Sequence, residues 1–298
     1  MRIFVAGNRG LVGEALMPLL AEAGMSGLGE DLPDLDVREE AAVRRRIERI
    51  RSAPGWDGCA PDWIVNLAAA TDVDGCERGE PTPDAPWRAN ADGAENLARA
   101  AARFGCRMLQ VSTDYVFDGR SAEPYGEESA VNPLSVYGKS KLEGERRIPR
   151  HLREDSFLVV RGQSLYGKGR KSFPDAILRA AETKAEIPVV VDQVIQPTWA
   201  REFAAALVAL LRADARGTFH YAAAGCCTWN AFARAVLEEA GVTSARITET
   251  TAAALGRPAP RPANSVFDLA KYAGLTGTAP RPWREQLRDY LRSTGRAA

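Results

Sequence analysis

The chain has 298 residues, enough to bury a substantial core in one large domain or two smaller ones. Its 39 basic and 39 acidic residues cancel, which argues against a nucleic-acid-binding surface as its main function. No apolar run approaches the roughly 18 residues of a membrane span, none resembles a signal peptide, and the five cysteines lack metal-binding spacing, so we expect a cytoplasmic protein that binds neither a membrane nor a metal.

The first predicted element is a strand that leads into a glycine turn. Apolar residues at Arg2–Ala6 are followed by a predicted helix over Glu14–Ala23, and between them lies the sequence Gly7-Asn8-Arg9-Gly10-Leu11-Val12-Gly13. A strand, a glycine turn and a helix N-terminus form the context that a dinucleotide pyrophosphate needs. The first glycine permits the turn, the second lets the backbone approach phosphate, and the third lets the helix pack closely. We therefore expect residues 7–13 to bind NAD(P).

The residues that follow predict two different cofactors. Arg9 could grip an adenosine 2′-phosphate in a bidentate contact, which favours NADPH. Glu30 and Asp31 follow Gly13 by 17 and 18 positions, where a carboxylate would accept a ribose hydroxyl of NAD. The strand that should carry them, Met25–Gly29, contains two glycines and little β-branching, and we expect only a short edge strand there. We predict NADPH and keep NADH as the alternative.

Strands and helices alternate through residue 161. The predicted strands are Trp63–Leu67, Met108–Ser112 and Phe157–Arg161, and the predicted helices are Glu39–Arg51, Gly93–Phe104 and Val136–Arg147. This alternation implies right-handed crossovers and a parallel sheet. The predicted fold class is therefore α/β, a Rossmann-type doubly wound parallel sheet with a smaller α/β C-terminal lobe.

One of these helices carries a candidate proton donor. Tyr137 and Lys141 are four residues apart, so on a helix they share one face, one turn from each other. A cation beside a phenol favours phenolate and lowers a pKa that starts near ~10. A hydroxyl of Ser112 or Thr113, at the end of the preceding strand, could hold a carbonyl oxygen beside that phenol. These groups predict a carbonyl reductase, in which the phenol protonates an alkoxide while a hydride arrives from nicotinamide.

The alternation loosens beyond residue 162. A strand is predicted at Pro188–Val191, and helices at Arg201–Arg212, Trp229–Ala240 and Trp283–Arg292. We expect a dinucleotide-binding domain at residues 1–162 plus roughly 190–214, and a substrate lobe at 163–189 and 215–298, which lies over the C-terminal edge of the sheet, where open parallel sheets bind ligands. Four aromatic residues of the lobe either fill its core or border a substrate: Tyr166, Phe173, Trp199 and Trp229.

These segments together resemble the extended short-chain dehydrogenase/reductase family, and within it the dTDP-4-dehydrorhamnose reductase group. The resemblance runs nearly end to end, and Ser112–Gly119 is its most group-specific part. The other matching segments are Gly7–Gly13, Val65–Ala70, Asn90–Ala98, Asp192-Gln193 with Pro197-Thr198, and Arg261-Pro262 with Asn264-Ser265.

The resemblance implies roles for particular residues. It favours Thr113 over Ser112 as the partner of Tyr137 and Lys141 in a catalytic trio, with Lys141 also binding the nicotinamide ribose. Segments matching the family's cofactor contacts are Ala68, Ala69 and Ala70 beside the cofactor, and Asp36 with Val37 at its adenine ring. A related reductase with a similar His-Arg-Gly turn, GDP-fucose synthase, uses NADPH.

The implied substrate is a 4-keto-(6-deoxy)sugar attached to a nucleoside diphosphate. Tyr115 and Trp199 are candidate contacts to that substrate. Arg261 either binds the diphosphate or simply borders a proline-rich loop. We expect Asp114, Tyr115 and Asp118 to be loop and cap residues, with a border of the substrate pocket as the alternative role of Tyr115.

The chain departs from this group after the strand at Phe157–Arg161. The group usually reads Arg-Thr-Ser-Trp-Val-Tyr-Gly there, whereas residues 161–167 read Arg-Gly-Gln-Ser-Leu-Tyr-Gly. An indole has become Ser164 and a hydroxyl has become Gly162. Either Trp199 fills the gap from a neighbouring loop, or the acceptor differs in size or polarity from the 6-deoxy-4-keto-sugar of the rhamnose-type enzymes, which predicts weak activity on that sugar.

Two other functions stay open. A nucleotide-sugar epimerase or dehydratase would keep its cofactor bound throughout turnover. A non-catalytic subunit, resembling the β subunit of methionine adenosyltransferase, would have the same fold without the reaction. The sequence also leaves the oligomeric state open, with a homodimer among the alternatives.

Overall fold

A computed structural model of the chain describes residues 1–168 and 172–297. Within these residues the strands are, in chain order, β1 (Arg2–Ala6), β2 (Ser26–Glu30), β3 (Trp63–Asn66), β4 (Arg107–Thr113), β5 (Phe157–Gly162), β6 (Leu165–Tyr166), β7 (Glu186–Val190), β8 (Val194–Ile195), β9 (Thr198–Trp199), β10 (Gly217–Tyr221), β11 (Cys227–Thr228) and β12 (Arg246–Thr250). The α-helices are α1 (Leu11–Glu22), α2 (Glu40–Ile50), α3 (Val73–Arg78), α4 (Ala85–Trp87), α5 (Gly93–Phe104), α6 (Val136–Arg147), α7 (Phe173–Ala181), α8 (Ala200–Arg212), α9 (Trp229–Glu239), α10 (Ala252–Leu255), α11 (Ala270–Thr276) and α12 (Trp283–Ser293). A π-helical turn covers Arg88–Asp92, and 3₁₀ turns cover Asp114–Val116, Ile148–Arg150 and Glu154–Ser156.

Six of the strands form one parallel sheet. Their order is β10-β5-β4-β3-β1-β2, and every neighbouring pair is parallel. The predicted α/β fold class is therefore confirmed, and β2 is an edge strand, as its glycine-rich sequence predicts. The chain leaves β1 toward β2 on one side and returns to β3 on the other. Ligands of open parallel sheets bind at such a switch point, at the carboxyl ends of the strands.

The sheet is covered by helices on both faces. Alternate residues of β1 point to opposite sides, so Ile3 and Val5 pack in one apolar cluster while Phe4 and Ala6 pack in the other. Helices α1 and α8 cover the first face, and α2 and α5 cover the second. Each fully buried large apolar side chain contributes about 1.5–3 kcal/mol of transfer free energy, so these two clusters fix the frame on which the loops at the strand ends are held.

The predicted elements lie close to the observed ones. Strand β1 and helices α5 and α6 have the predicted bounds. Helix α1 begins three residues earlier than predicted, directly after Gly10, which is its N-cap. The glycine turn therefore leads straight into the helix N-terminus.

One segment lies in a different part of the fold than the sequence predicts. Residues 217–221, assigned above to the substrate lobe, form β10 and pair with β5 at the edge of the main sheet. Tertiary packing explains why this segment joins the main sheet. Phe219 and Tyr221 are buried in the same apolar cluster as α8, and Tyr272 of α11, which follows later in the chain, packs in that cluster too. The sequence Gly-Thr-Phe-His-Tyr becomes a strand because β5 offers it an open edge.

A smaller unit is built around its own apolar cluster. Helices α7, α9 and α12 pack around the parallel pair β7–β12, and aromatic rings fill much of the space between them. All four aromatic residues considered above, Tyr166, Phe173, Trp199 and Trp229, belong to this core, and Phe232 packs against three of them. None of the helices in the described part of the chain is both long and apolar enough to cross a lipid bilayer.

Candidate active site

The glycine turn between β1 and α1 has no room for side chains at two of its three glycines. Gly7 has a φ of +89°, and a Cβ there would lie 2.7 Å from the Ala68 backbone nitrogen. A Cβ on Gly13 would lie 2.4 Å from the Gly7 carbonyl oxygen. The first N–H groups of a helix lack intrahelical partners, and no side chain caps α1. This bare helix N-terminus at the switch point fits a dinucleotide pyrophosphate.

Acidic residues surround Arg9 beside this turn. Its guanidinium pairs with Asp34 at 2.6 Å and donates to the Leu32 carbonyl at 3.3 Å, while its backbone N–H donates to Asp31 at 3.2 Å. The Glu30 carboxylate instead pairs with Arg46 of α2. Arg9 and Asp34 are both more than half exposed, so their ion pair costs little to exchange for another anion. The Arg9 guanidinium, which favours NADPH, and the Asp31 carboxylate, which favours NAD, therefore lie at the same turn.

The other predicted cofactor contacts follow β2 and β3 along the chain. Val37 is buried against Gly93, and its carbonyl accepts the Asn96 amide at 3.0 Å. The Arg38 guanidinium donates three hydrogen bonds of 2.6 to 3.0 Å to the Asp36 carboxylate, and these hydrogen bonds lower the pKa of the Asp36 carboxyl. Ala68, Ala69 and Ala70 continue from β3, with the first of them against the glycine turn.

Thr113 and Tyr137 meet at the carboxyl end of β4. Thr113 is the last residue of that strand and Tyr137 is the second residue of α6. Helix α6 starts there because the Ser135 hydroxyl accepts the Gly138 N–H at 3.2 Å, and Glu77 of α3 accepts the Val136 N–H at 2.9 Å. A Cβ on Gly138 would lie 2.2 Å from the Tyr115 carbonyl oxygen, so the helix lies directly on that turn. The Tyr115 and Tyr137 rings consequently pack edge to face, 5.4 Å apart.

Burial is the main cause of the pKa shifts of Tyr137 and Lys141, the two ionisable residues of the predicted catalytic trio. Burial raises the pKa of the Tyr137 phenol, although the Thr113 hydroxyl acts to lower it. Burial lowers the pKa of Lys141 to about 8, partly offset by the Glu145 carboxylate one turn away. The Lys141 ammonium donates to the Val111 carbonyl oxygen at 2.7 Å. The shift at Tyr137 is thus opposite to the one expected from the Tyr-x-x-x-Lys spacing, because desolvation of the phenolate outweighs any nearby positive charge.

Asn90 links the cofactor side of this pocket to helix α6, a role that the sequence did not reveal. It lies in the π-helical turn before α5, and its side chain bonds both backbone groups of Ala70, at 2.8 and 3.2 Å. Its amide also donates to the Ser140 hydroxyl at 2.9 Å, between Tyr137 and Lys141 on α6. The matching segment Asn90–Ala98 contains this residue, but only the fold shows which groups it joins.

Asp114 differs from the loop and cap residue that the sequence predicts. It begins a 3₁₀ turn, but its side chain is buried and bonds Ser265 at 2.6 Å, Thr113 at 3.1 Å and Gln163 at 3.3 Å. Asp118 is the loop residue that was expected, accepting the Tyr125 phenol and the Arg120 N–H.

Arg261 lies between α3 and the Tyr115 side chain. It pairs with Asp74 of α3 at 2.9 Å, and Asp74 also accepts the Ala259 N–H at 3.2 Å. Burial raises the pKa of the Tyr115 phenol to about 12, while the nearby Arg261 guanidinium acts to lower it. The structure therefore brings Arg261, Tyr115 and Tyr137 together.

Trp199 lies elsewhere. Its ring packs against Tyr290 in the core of the smaller unit and lines a surface groove with Leu11 and Glu14 of α1. Within the described residues, its aromatic contacts include neither Tyr115 nor Tyr137. Its strand β9 nevertheless pairs with β6, directly after Ser164, and the Ser164 carbonyl oxygen accepts the Thr198 N–H at 3.2 Å. That Trp199 fills the space at Ser164 therefore stays a prediction.

The two departures at residues 162 and 164 have separate structural causes. A Cβ on Gly162 would lie 2.7 Å from the ring of Phe203, so this ring occupies the space that a threonine side chain would need. Ser164 has a φ of +45°, in the left-handed region that bulky residues rarely adopt. The backbone and its packing are therefore adapted to small side chains at both positions.

The chain matches known proteins over nearly its full length. Residues 1–295 match the family described as the RmlD substrate binding domain. A dTDP-4-dehydrorhamnose reductase of Streptomyces griseus is 36% identical over 293 residues, which cover 97% of this chain and 92% of that protein.

Solved structures agree with this match. A dTDP-4-dehydrorhamnose reductase of Clostridium acetobutylicum is 33% identical and superposes with a TM-score of 0.90. The superposition covers 99% of this chain and 100% of that one. The enzyme of the same name from Bacillus anthracis, solved in complex with NADP, is 29% identical, with a TM-score of 0.89 over 98% of this chain and 99% of that one.

Proposed function

The chain belongs to the family of the RmlD substrate binding domain, and we propose that it is an NADPH-dependent reductase of the keto group of a nucleoside-diphosphate 4-keto-6-deoxysugar. One observation carries this proposal above the others: Thr113 and Tyr137 converge at the carboxyl end of β4, on the same edge of the sheet as the glycine turn after β1. A hydroxyl and a phenol that meet beside a dinucleotide site are suited to reduce a carbonyl group.

The proposed mechanism assigns one task to each residue of the trio. Bound NADPH supplies the hydride. Tyr137 donates its phenolic proton to the oxygen of the reduced carbonyl, and the raised pKa of this phenol keeps that proton in place until the oxygen becomes basic. Thr113 donates a hydrogen bond to the same oxygen. Lys141, whose ammonium now lies on the Val111 carbonyl, is placed one turn behind Tyr137 to bind the nicotinamide ribose.

The remaining part of the site is proposed to hold the nucleotide. Arg261 is mostly buried and already satisfies one anion, the Asp74 carboxylate. A diphosphate that approached Tyr115 would meet this guanidinium in the planar, bidentate geometry that arginine provides for phosphate. Asp74 and Arg261 thus form the rim across which the nucleotide of the substrate would lie.

The sugar is proposed to differ from the acceptor of the rhamnose-type enzymes. The loop after β5 has Ser164 in place of an indole, and its left-handed φ explains why a small residue is kept there. The Trp199 ring packs against Tyr290 in the core of the smaller unit, which supports a sugar site without an indole at this position. We expect weaker activity on dTDP-4-keto-6-deoxymannose than on a keto-sugar that carries a different substituent where the indole would lie.

The absorbance of reduced nicotinamide tests the proposal. Protein, NADPH and a dTDP-4-keto-6-deoxysugar should show NADPH consumption that requires both ligands. An isomerised sugar without NADPH consumption would instead indicate an epimerase, and cofactor binding without any sugar turnover would indicate the non-catalytic subunit.

The nucleotide and the sugar are best found by thermal shift. A ligand at 100 times its dissociation constant adds about 2.7 kcal/mol to stability, which is readily measured. A panel of nucleoside-diphosphate sugars, each tested with and without NADPH, ranks base and sugar separately. We expect thymidine diphosphate sugars to give the largest shift.

A further inference from the structure

A buried ion pair lies directly behind the predicted catalytic residues of α6. Glu145 is one turn beyond Lys141 on that helix, and its side chain is only 8% exposed. The Arg161 guanidinium of β5 donates to both of its carboxylate oxygens, with Nη2 2.7 Å from Oε2 and Nε 3.1 Å from Oε1. One guanidinium therefore binds both oxygens of Glu145.

Contacts from other elements hold the Arg161 guanidinium in place. Its Nη1 lies 3.3 Å from Nε2 of His220 in β10, and its central carbon lies 5.3 Å from the centre of the Phe117 ring. Nδ1 of His220 lies 3.0 Å from the Tyr125 carbonyl oxygen, which can only accept, so Nδ1 carries the proton and Nε2 accepts from Arg161. The guanidinium is thus fixed by α6, by β10 and by the aromatic ring that follows β4.

The Lys141 ammonium stays outside this ion pair. A lysine and a glutamate four residues apart on a helix are close enough to pair with each other. Among the ion pairs of residues 1–168 and 172–297, however, Glu145 pairs with Arg161 and not with Lys141, whose Nζ donates to the Val111 carbonyl oxygen at 2.7 Å. An ammonium has three N–H donors, and this carbonyl uses one of them. The others can serve the ribose hydroxyls that Lys141 is proposed to bind.

We propose that Arg161 is a positioning residue, which binds the Glu145 carboxylate and thereby keeps the Lys141 ammonium free to bind the nicotinamide ribose. This inference rests on the proposed reductase function. Without the guanidinium, Glu145 would be a buried carboxylate that has lost its partner, and the high cost of such a charge would drive it to pair with Lys141. The ammonium would then turn away from the ribose, toward its own helix.

Glu145 has a second effect in this arrangement. Lys141 is buried, and burial lowers its pKa to about 8, while the nearby Glu145 carboxylate acts to raise that pKa. Because Arg161 binds the carboxylate, Glu145 favours the charged form of Lys141 from a distance without occupying its N–H groups. Removing Glu145 and removing Arg161 should therefore shift the pKa of Lys141 in opposite directions.

Other titratable groups lie around this part of α6. They are Tyr137 of the same helix, Cys76 and Glu77 of α3, Asp114 and Tyr115 of the 3₁₀ turn after β4, and His220 of β10. Burial raises the pKa of Tyr137, of Cys76 to about 11 and of Tyr115 to about 12, and it lowers the pKa of His220 to about 3, so none of these four titrates near pH 8. Glu77 and Asp114 are unchanged in every variant below, so differences between the variants report Lys141.

Two single variants test the proposal in the full-length protein, with the NADPH dissociation constant, measured by nicotinamide fluorescence across pH, as the readout. Binding should weaken as pH rises and Lys141 loses its charge. In Glu145→Gln the pKa of Lys141 falls, so this inflection should move to lower pH by about one unit, which is about 10-fold weaker binding on the alkaline side. In Arg161→Met the carboxylate pairs with Lys141 and raises its pKa, so the inflection should move to higher pH, while binding at neutral pH becomes about 10-fold weaker.

The opposite directions of the two shifts separate positioning from a defect in folding, which would weaken binding without moving the inflection both ways. The proposal is wrong if the inflection stays at the same pH in both variants, or if Arg161→Met binds NADPH normally at neutral pH. Glu143→Gln is the matched control, because it removes another carboxylate of α6, one that pairs with Arg147. It should leave the pH dependence of NADPH binding unchanged.

A double variant decides the matter even if Arg161→Met alone does not fold. Arg161→Met combined with Glu145→Met removes both buried charges, and replacing a buried ion pair by apolar side chains often leaves stability unchanged. Lys141 then has no carboxylate to pair with, so NADPH binding at slightly acidic pH should lie within about threefold of the unaltered protein. Binding that stays about 10-fold weaker would mean that Arg161 acts only through packing, and would overturn the proposal. A protein that binds NADPH with the expected pH dependence but reduces no keto-sugar would contradict the proposed function alone.

Discussion

At the scale of single residues, the phenol of Tyr137 is the proposed proton donor. Tyr137→Phe keeps the ring that packs on Tyr115 and removes only the acid. Turnover should fall by roughly 10²–10⁴, the usual range for a positioned proton donor, while NADPH affinity changes little. Steady-state kinetics and NADPH titration measure the two effects.

A matched control is available for this variant. Tyr125→Phe removes a phenol that donates to Asp118 within another cluster, so it should leave kcat nearly unchanged and cost about 1 kcal/mol of stability. Near-normal turnover in Tyr137→Phe would remove the proposed mechanism.

Arg9 and its acidic neighbours are proposed to set the choice between NADPH and NADH. Arg9→Ala should reduce the preference for NADPH by about 10-fold, the low end for a lost charge-assisted hydrogen bond, because this side chain is largely exposed. Asp34→Ala is the opposing variant: it frees the guanidinium for a 2′-phosphate and should raise the preference. The ratio of kcat/KM values for the two cofactors is the measurement, and equal ratios in all three proteins would place Arg9 outside the cofactor site.

The residue scale also shows what sequence patterns cannot supply. The pairing of Tyr137 with Lys141 on one helix can be predicted, because four-residue spacing on a helix is local information. The buried contacts of Asp114 cannot be predicted in this way, because its partners, Ser265 and Gln163, are 151 and 49 residues away along the chain. Its burial and its lack of a counter-ion exist only once these segments meet.

At the scale of elements, the glycine turn and α1 act as one rigid unit. In Gly13→Ala the added methyl group would lie 2.4 Å from the Gly7 carbonyl oxygen, so either the helix or the turn must move. We expect a loss of about 1–3 kcal/mol of stability from this overpacking, together with weaker NADPH binding. Chemical unfolding and NADPH titration test both parts.

Gly274→Ala is the control for this change, because α11 has open space around that glycine. Removing a glycine from a helix interior there should gain up to about 1 kcal/mol. If Gly13→Ala binds NADPH as tightly as Gly274→Ala does, the turn does not hold the pyrophosphate.

Most elements of the dinucleotide-binding half could be predicted, because their signals are local. Strand β1 is an apolar run before a glycine turn, and α6 is capped at its start by Ser135. Strand β10 was missed because its five residues depend on the edge of β5, a contact made only in the folded chain. With β10 in the main sheet, we propose that the dinucleotide-binding unit extends to about residue 221, rather than ending near 214.

At the scale of the whole molecule, a buried histidine should make the fold sensitive to acid. His220 lies stacked on Phe267, with Nδ1 3.0 Å from the Tyr125 carbonyl oxygen and Nε2 3.3 Å from the Arg161 guanidinium. Burial, together with Arg161, lowers its pKa from 6.5 to about 3. The unfolded chain therefore binds a proton between these pH values that the folded chain does not.

It follows that the stability from this group is present above pH 6.5 and is lost as pH falls toward 3. The free energy of unfolding should fall by at most about 1.4 kcal/mol per pH unit in that window from this residue alone. His220→Asn removes the titration, so the difference in unfolding free energy between the two proteins should narrow on acidification. If the unfolding free energies of the two proteins differ by the same amount at every pH between 6.5 and 3, His220 is not the group that titrates.

The central claim is that a hydride moves from NADPH to the keto carbon of a nucleotide sugar in this site. NADPH carrying deuterium at the transferred position of its nicotinamide, incubated with the protein and a dTDP-4-keto-6-deoxysugar, tests it directly. Mass spectrometry should find one deuterium on the former keto carbon of the product, and Tyr137→Phe should form this product far more slowly. A product that contains no deuterium, with the sugar merely rearranged, would contradict the claim.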